Sequence, residues 1–331
     1  MFRKSLLVSL LSVSTLASAA ELRVLAHSSF AVDQKLIAAF EQKTGSKVSI
    51  IKAGDAGEML NKLILTKSAP IADVVFGIDN LLVAKAAEAG VLADKTGVAS
   101  KKFPFSARLT SVDYGLVALN VDKAYVADHK LALPKTLDDL TKPAYKDLLV
   151  VESPATSSTG LAFLMATVQH FGEQKAWAFW QKLKDNGVKV TQGWTDAYEK
   201  EFSRNGGSRP FVVSYSTSPA AEVFYSEGKL TVPPTDNVFL PGSSFMQVEG
   251  IGLVKGGKEP ALAKAFVEFM VSAPVQADLP TQMWMYPVQD GLTLDKSFQF
   301  ATLPKLGKPV VPASAKQLQG WVSQWQKLMR P

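Results

Sequence analysis

Strand-like and helix-like segments alternate along this chain from residue 22 onwards, and this alternation restricts the fold more than any other feature. LRVLAH (22–27) and VSIIKA (48–53) are short runs rich in β-branched and other apolar residues. Each precedes a segment with helical spacing, KLIAAFEQKTG (35–45) and GEMLNKLILTK (57–67). Strands joined by helices of this length pair in parallel and are covered by helices on both faces. The pattern predicts an α/β fold.

The later part of the chain predicts a second set of α/β elements and two further strands. These strands are VDYGLVALNVDKAY (112–125) and FMQVEGIGLVKGG (245–257). No Pro/Gly/Ser-rich linker separates two domains, and two lobes that share two crossing strands would explain its absence. We expect a first lobe from residues 20–116 and about 248–310, a second lobe from 117–247, and a C-terminal helix in 311–331 packed on the second lobe.

The first twenty residues have the three-part composition of a secretory signal. Arg3 and Lys4 form a positive start, an apolar stretch follows at 5–16, and small residues occupy 17–19. The apolar stretch is shorter than the roughly 20 residues that a membrane-spanning helix needs. We therefore expect a signal peptide at residues 1–19, cleaved near Ala20.

Cysteine is absent from all 331 residues. The chain therefore forms no disulfide and no thiolate metal site, and it cannot carry a lipid on an N-terminal cysteine. An exported protein without an anchor stays near its cell only if an outer membrane retains it. Together with the signal sequence, this predicts a soluble periplasmic protein.

Charge and motifs argue against nucleic-acid binding and against catalysis. The formal net charge is +6, and Lys and Arg are spread along the chain without a block of like charges, as on an ordinary solvated surface. No HExxH, GxSxG or GxxxxGK[ST] motif occurs, and there is no thiol nucleophile. Of the three histidines, His27 ends the first predicted strand. Two interpretations are equally supported there: its ring lines a cleft, or it packs in the protein interior.

The six tryptophans divide into two groups by their sequence context. Trp194 in QGWTDAY and Trp284 in QMWMYP lie in loop-like segments, where a ring either fills a loop or stacks on a ligand. The other four are spaced three or four residues apart on predicted helices, which is typical of packing: Trp177, Trp180, Trp321 and Trp325.

Hydroxyl-rich segments follow two predicted strands and precede two predicted helices. They are ATSSTG (155–160) and SYSTSP (214–219). The free backbone N–H groups at a helix start bind phosphate and other polar groups, although plain helix capping also accounts for such residues. Asp55 and Asp79 follow strands in the same way, and each is predicted either to cap a helix or to face a cationic ligand.

Several of these segments carry a resemblance to a known family. GWTDAY (193–198), SYSTSP (214–219) and PTQMWMYPV (280–288), with GIDN (77–80) and DYG (113–115), resemble the periplasmic thiamine-binding proteins of thiamine ABC transporters. The likeness runs in register along nearly the whole chain. It implies a type II periplasmic binding fold, in which two α/β lobes joined by crossing strands close on thiamine or its phosphates.

The resemblance also implies a set of ligand contacts, position by position. Aromatic faces would attract the cationic thiazolium ring, Asp55 would hold a cation or amine, and the hydroxyl-rich helix starts would hold the hydroxyethyl arm or its phosphate. The implied protein is a monomer without cofactor or metal that delivers its ligand to an ABC permease with an ATPase subunit. The implied contacts are Asp55, Ala56, Ser157, Ser158, Trp194, Tyr215, Ser216, Thr217, Ser218 and Trp284, with His27 and Ser28 as further candidates.

This chain departs from the family pattern at some of these positions. His27 and Ser28 stand where the family has Tyr-Asp, Ala56 where it has Gly, and Ala221 where it has Tyr. The cleft thus has one carboxylate and two aromatic rings fewer. The same fold with another solute, such as Fe³⁺ or a polyamine, is an alternative, although the Tyr-Tyr pair of iron-binding relatives is absent. A periplasmic thiamine-processing enzyme is a third alternative, although the sequence contains no recognisable catalytic motif.

Overall fold

Two sets of strands, each with parallel pairing and with its own helices, make up most of the described chain. The computed structural model describes residues 19–304, 310–312 and 314–330. The predicted signal peptide, 1–19, therefore lies outside the described residues apart from its last position. None of the helices in these ranges combines the length and the apolar composition needed to cross a membrane.

The strands lie where short apolar runs occur in the sequence. They are β1 (Ala20–Ala26), β2 (Ser46–Lys52), β3 (Val74–Asp79), β4 (Thr110–Asp122), β5 (Leu149–Glu152), β6 (Lys189–Thr191), β7 (Phe211–Tyr215), β8 (Thr235–Val238), β9 (Phe245–Leu253) and β10 (Tyr286–Pro287). The helices are α1 (Gln34–Thr44), α2 (Ala56–Leu65), α3 (Val83–Ala89), α4 (Lys123–Asp128), α5 (Ser158–Phe171), α6 (Glu173–Asp185), α7 (Trp194–Asp196), α8 (Ser218–Tyr225), α9 (Pro260–Met270), α10 (Ala273–Gln282) and α11 (Ala315–Met329).

One hydrogen-bonded sheet runs through the described part of the chain. Its strand order is β2-β1-β3-β9-β4-β7-β5-β6, and β8 and β10 also pair with β4. β1 pairs in parallel with β2 and β3, and β5 pairs in parallel with β6 and β7. We name the elements around β1, β2 and β3 the first lobe and those around β5, β6 and β7 the second lobe. The predicted α/β class with mainly parallel lobe sheets is confirmed.

The two long strands cross between the lobes, as the sequence predicts. β9 pairs antiparallel with β3 of the first lobe, and β4 pairs antiparallel with β7 of the second. β4 and β9 also pair with each other, from Thr110 opposite Ile251 to Val117 opposite Phe245. At Val117 the strand also pairs with Tyr215 of β7. The lobe sheets are therefore continuous through these two strands.

Apolar helix faces cover both sides of the sheet. α5 is buried from Ser158 through Val168, because it packs inside the second lobe rather than on its surface. The last helix, α11, packs on α6 and also on α3 of the first lobe. Its Trp325 meets Trp180 of α6 edge to face, with ring centroids 5.5 Å apart. These two tryptophans therefore have packing roles.

Candidate ligand-binding site

A cavity of about 710 Å³ lies where the carboxyl ends of strands from both lobes face each other. Ligands bind at this edge of open parallel sheets. Residues that follow β1, β2, β5 and β7 contribute to its wall. Of the residues predicted to contact a ligand, the structure brings eleven to this lining: His27, Ser28, Asp55, Ala56, Ser157, Ser158, Trp194, Tyr215, Thr217, Ser218 and Trp284.

Ser216 is the one predicted contact that the structure does not bring to the cavity lining. Its side chain is fully buried, and its carbonyl oxygen accepts a hydrogen bond from Asn237 Nδ2 at 2.9 Å. Its backbone N–H donates to the carbonyl of Leu116. Ser216 thus anchors the end of β7 to the neighbouring strands, whereas the residues on either side of it reach the cavity.

Asp55 connects the two lobes and does not cap its own helix. It stands at the N-cap position of α2, but its side chain makes no capping hydrogen bond there. Instead its Oδ2 accepts from the backbone N–H of Trp194 at 3.0 Å. Gly193 allows this approach, since a β-carbon at that position would lie 3.1 Å from the same carboxylate oxygen. The capping interpretation of Asp55 was wrong for α2.

The residues before α5 and α8 likewise do not form the expected side-chain caps. Neither Ser157, before α5, nor Thr217, before α8, makes a side-chain capping bond to its helix. Ser157 Oγ bonds to the hydroxyl of Thr159, and Thr217 Oγ1 donates to the carbonyl of Trp284 at 2.6 Å. The first turns of α2, α5 and α8 all open on the cavity, so three helix N-termini direct partial positive charge toward it.

A hydrogen-bond network joins elements of both lobes beneath the cavity. Tyr215 donates its hydroxyl to Gln247 Oε1 at 2.8 Å, and Gln247 Nε2 in turn donates to Asp79 Oδ2 at 3.4 Å. The same Asp79 oxygen accepts from Ser158 Oγ. Its other oxygen accepts from the backbone N–H groups of Leu81 and Leu82. Asp79 thus caps the turn that precedes α3, whereas the N-cap residue of α3 itself is Leu82. The network aligns strands β3, β7 and β9 with the start of α5.

Burial raises the pKa values of two groups in this network, Asp79 and Tyr215. Desolvation raises the pKa of Asp79 to about 6, despite the hydrogen bonds from Ser158 and the backbone that favour its charged form. Burial and the surrounding carboxylates raise the pKa of Tyr215 well above its ordinary value, so the phenol keeps its proton and acts as a donor.

The two loop tryptophans are held in different ways. Trp194 stacks on Tyr198, with centroids 5.0 Å apart and planes 15° apart, and its Nε1 donates to Ser214 Oγ at 2.7 Å. Trp284 stacks on Phe298 at 5.5 Å and 12°. Both side chains are half-buried and line the cavity. Each indole therefore both packs on a neighbouring ring and faces the ligand space.

His27 lies beside the carboxyl group of Glu249 at the inner wall. Its Nε2 is 3.1 Å from Glu249 Oε1, and Gly77 makes room for the ring, since a β-carbon there would lie 2.2 Å from His27 Cδ2. Gly77 also has a positive φ of 97°, which glycine adopts without strain. Desolvation lowers the pKa of His27, but the electrostatic attraction of the adjacent Glu249 outweighs it, so the net pKa is raised. Burial and the adjacent Glu249 raise the pKa of Asp113 well above its usual range.

Carboxylates dominate the charge of the lining. Asp55, Glu199, Glu222 and Glu249 line the cavity, whereas no Lys or Arg appears among its lining residues in the described ranges. Arg204 from outside the lining approaches Glu222, with Nε 3.5 Å from Oε2. A surplus of negative charge in a cleft attracts cations and disfavours anions.

Sequence reasoning missed several lining residues, among them Gln247, Glu249 and Tyr225. The sequence does contain a signal for Gln247 and Glu249. They stand two apart on β9, so they share one face of an otherwise apolar strand. Tyr225 has no comparable signal, because the end of an amphipathic helix usually faces solvent. Within the described residues, no group of three or more His, Asp or Glu side chains is arranged to hold a metal ion.

The comparisons with known proteins agree with this architecture. Residues 69–305 match the model of the bacterial extracellular solute-binding protein family. The thiamine-binding periplasmic protein of Escherichia coli (strain K12) is 31% identical over 340 residues, which covers 99% of each chain. A solved structure of a periplasmic thiamin binding protein superposes with a TM-score of 0.83 at 30% identity, covering 95% of this chain and 97% of that one.

A more distant structure shows the fold alone. Iron-bound HitA from Pseudomonas aeruginosa has a TM-score of 0.70 at 21% identity, covering 94% of this chain and 98% of that one. The two-lobed fold and the near full-length match to the relatives point the same way. This chain belongs to the bacterial extracellular solute-binding proteins, and within them to the periplasmic thiamine-binding proteins.

Proposed function

We propose that this protein captures thiamine in the cavity between its lobes and delivers it to the permease of an ABC importer in the periplasm. The relatives with that binding function match it over nearly their whole length. The signal-like sequence at the N-terminus supports export. The proposed partners are therefore the small-molecule ligand and the permease with its ATPase subunit.

The observation that carries this proposal is the combination of aromatic rings and carboxylates on the cavity wall. Trp194, Tyr215 and Trp284 offer ring faces or edges, while Asp55 and Glu249 offer negative charge. Thiamine combines two flat rings with a permanent positive charge on the thiazolium. Stacking and cation–π attraction of about 0.5–2 kcal/mol per ring suit such a ligand.

The hydroxyethyl arm of thiamine is assigned to the side of the cavity where helices begin. Ser157, Ser158 and Ser218 stand at the N-terminal ends of α5 and α8, where hydroxyl and backbone N–H groups bind oxygen atoms. A phosphate on that arm suits the same helix starts. The carboxylates lie on the same lining and oppose each added negative charge.

Titration calorimetry of the purified protein tests the proposal. We expect saturable one-to-one binding of thiamine, and the mono- and diphosphate esters are titrated in parallel. Ferric citrate and spermidine serve as the alternative ligands. A folded protein that binds none of the three thiamine compounds refutes the proposal. Chromatography of the ligand after incubation tests for turnover, and we expect the ligand to be recovered unchanged.

A further inference from the structure

Two aromatic side chains meet at the solvent-facing edge of the cavity. The indole Nε1 of Trp284 donates to the hydroxyl oxygen of Tyr225 at 3.0 Å, and the ring centroids are 5.6 Å apart. Tyr225 is the last residue of α8, whereas Trp284 lies in the segment between α10 and β10. Both residues line the cavity, so this contact joins two separate parts of its wall.

The two partners differ in how firmly they are held. Trp284 stacks on Phe298, and its carbonyl oxygen accepts from Thr217 Oγ1 at 2.6 Å. Its φ of 58° is a left-handed conformation that non-glycine residues adopt only when their surroundings enforce it. Tyr225 is 61% exposed. Trp284 is therefore a fixed anchor, whereas Tyr225 is a ring on a helix end with room to move.

Tyr225 is also the aromatic side chain that α8 presents to the cavity on this face. Ala221 stands one turn earlier, and residues four apart on a helix share a face. Ala221 lines the cavity with only a methyl group. Phe224, the neighbour of Tyr225, contacts Trp284 with centroids 5.3 Å apart but is absent from the lining. The ring that α8 supplies to the ligand space is thus that of Tyr225.

We propose that Tyr225 is a ligand-retaining residue whose ring closes the edge of the cavity and whose hydroxyl is latched by the indole N–H of Trp284. The ligand it retains is the aromatic cation of the proposed function, on which this inference rests. Ligand departure requires the hydrogen bond to break and the ring to swing away. Binding contacts of this kind act mainly on the dissociation rate.

Stopped-flow measurement of thiamine dissociation from the full-length mature protein tests the latch. Tyr225→Phe keeps the ring and removes the hydroxyl, and we expect dissociation to be about 3- to 10-fold faster, as for the loss of one hydrogen bond. Tyr225→Ala also removes the ring, and we expect an increase of about 10- to 50-fold. Tyr125→Phe is the matched control, because Tyr125 on α4 stacks on His129 and is absent from the cavity lining. Its dissociation rate should equal that of the wild type.

A second measurement tests the hydrogen bond between Trp284 and Tyr225 in the absence of ligand. The indole N–H resonance of Trp284, assigned with Trp284→Phe, is followed by NMR in the wild type and in Tyr225→Phe. We expect faster solvent exchange of this proton in the variant. A dissociation rate of Tyr225→Phe within about twofold of the wild type overturns the latch. If the wild type does not bind thiamine, the proposed function fails, and unchanged indole exchange in Tyr225→Phe then overturns the latch separately.

Discussion

The backbone N–H of Trp194 donates to Oδ2 of Asp55 at 3.0 Å, and this bond joins the two lobes beside the cavity. Close to it, the backbone N–H of Glu58 donates to the carbonyl of Thr156 at 3.2 Å. Asp55 and Glu58 belong to the first lobe, and Trp194 and Thr156 to the second. The start of α2 therefore forms one of the contacts between the lobes, beside the bond from Ser158 to Asp79.

Gly57→Ala should weaken ligand binding although it changes no side chain of the cavity lining. A β-carbon at Gly57 would lie 2.7 Å from the carbonyl oxygen of Thr156, which is backbone and cannot turn aside. Overpacking of this kind costs about 1–3 kcal/mol, and the cost falls on the closed arrangement of the lobes. We expect thiamine affinity to drop by about tenfold in calorimetry, with little change in melting temperature without ligand.

Gly320→Ala is the matched control for that variant. Gly320 lies in α11, and apart from the neighbouring backbone of that helix no atom of the described residues stands within 4 Å of its added β-carbon. Alanine also favours the helix by about 1 kcal/mol over glycine. We expect unchanged thiamine affinity and equal or higher thermal stability. Equal affinities of the two variants would show that the approach of Gly57 to Thr156 does not limit lobe closure.

Asp55→Asn should lower thiamine affinity through charge alone. The asparagine oxygen still accepts from the Trp194 N–H, so the contact between the lobes is kept while the negative charge is lost. We expect about 5- to 20-fold weaker binding and a smaller dependence of affinity on salt concentration. Asp236→Asn, at an exposed position outside the cavity lining, is the control for the loss of one carboxylate. An Asp55→Asn protein with wild-type affinity contradicts a charge role.

Trp194→Ala should weaken thiamine binding by about 10- to 100-fold, because it removes a ring face of the cavity wall. It also leaves Ser214 without the donor that now bonds to its Oγ. Trp194→Phe keeps a ring and should recover most of the affinity. Calorimetry is the appropriate readout, since removing an indole from the cavity wall also changes the fluorescence signal. Equal losses in both variants would assign the effect to the indole N–H and not to ring stacking.

The pH dependence of stability should include a contribution from Asp79. Its pKa is about 6 in the folded protein, raised by burial, against about 3.9 for an unfolded aspartate. The folded state thus binds this proton more tightly than the unfolded state does. The stabilisation that results is fully present below about pH 4 and is lost as the pH rises through about 6. A shift of this size corresponds to roughly 3 kcal/mol.

Asp79→Asn should remove this dependence. We expect the melting temperature of the variant, relative to that of the wild type, to increase steadily from pH 4 to pH 7. Asp138→Asn, at an exposed position, is measured in parallel as a control for the loss of a surface carboxylate. A constant difference between Asp79→Asn and wild type across that range would contradict the raised pKa.

Much of the fold is predictable from the sequence because its elements have clear periodicity. The strands β4 and β9 stand out as long apolar runs, and α1, α5, α6, α9 and α11 as helical patterns. The sequence does not predict α10, because Pro280 lies inside it and a proline normally ends or bends a helix. The chain tolerates it there because Pro280 stands in the last turn of the helix, two residues before its end at Gln282.

The candidate site is predictable only in part. Strand ends and helix starts such as Asp55 and Ser157 are visible from local patterns, and the structure places them on the cavity. Which way each side chain turns depends on contacts between distant segments. Thus Ser216 is buried and absent from the cavity lining, while Tyr225, which lines the cavity, contacts Trp284, 59 residues away. No local pattern encodes that pairing.

The two strands shared by the lobes have a mechanical consequence. β4 changes partner at Val117, which pairs with Phe245 on one side and Tyr215 on the other. To separate the lobes, β4 and β9 must flex and twist together about this point without losing their ladder. Because the paired strands are hydrogen-bonded to each other, neither can bend alone at this point, and any relative motion of the lobes would have to bend both strands together.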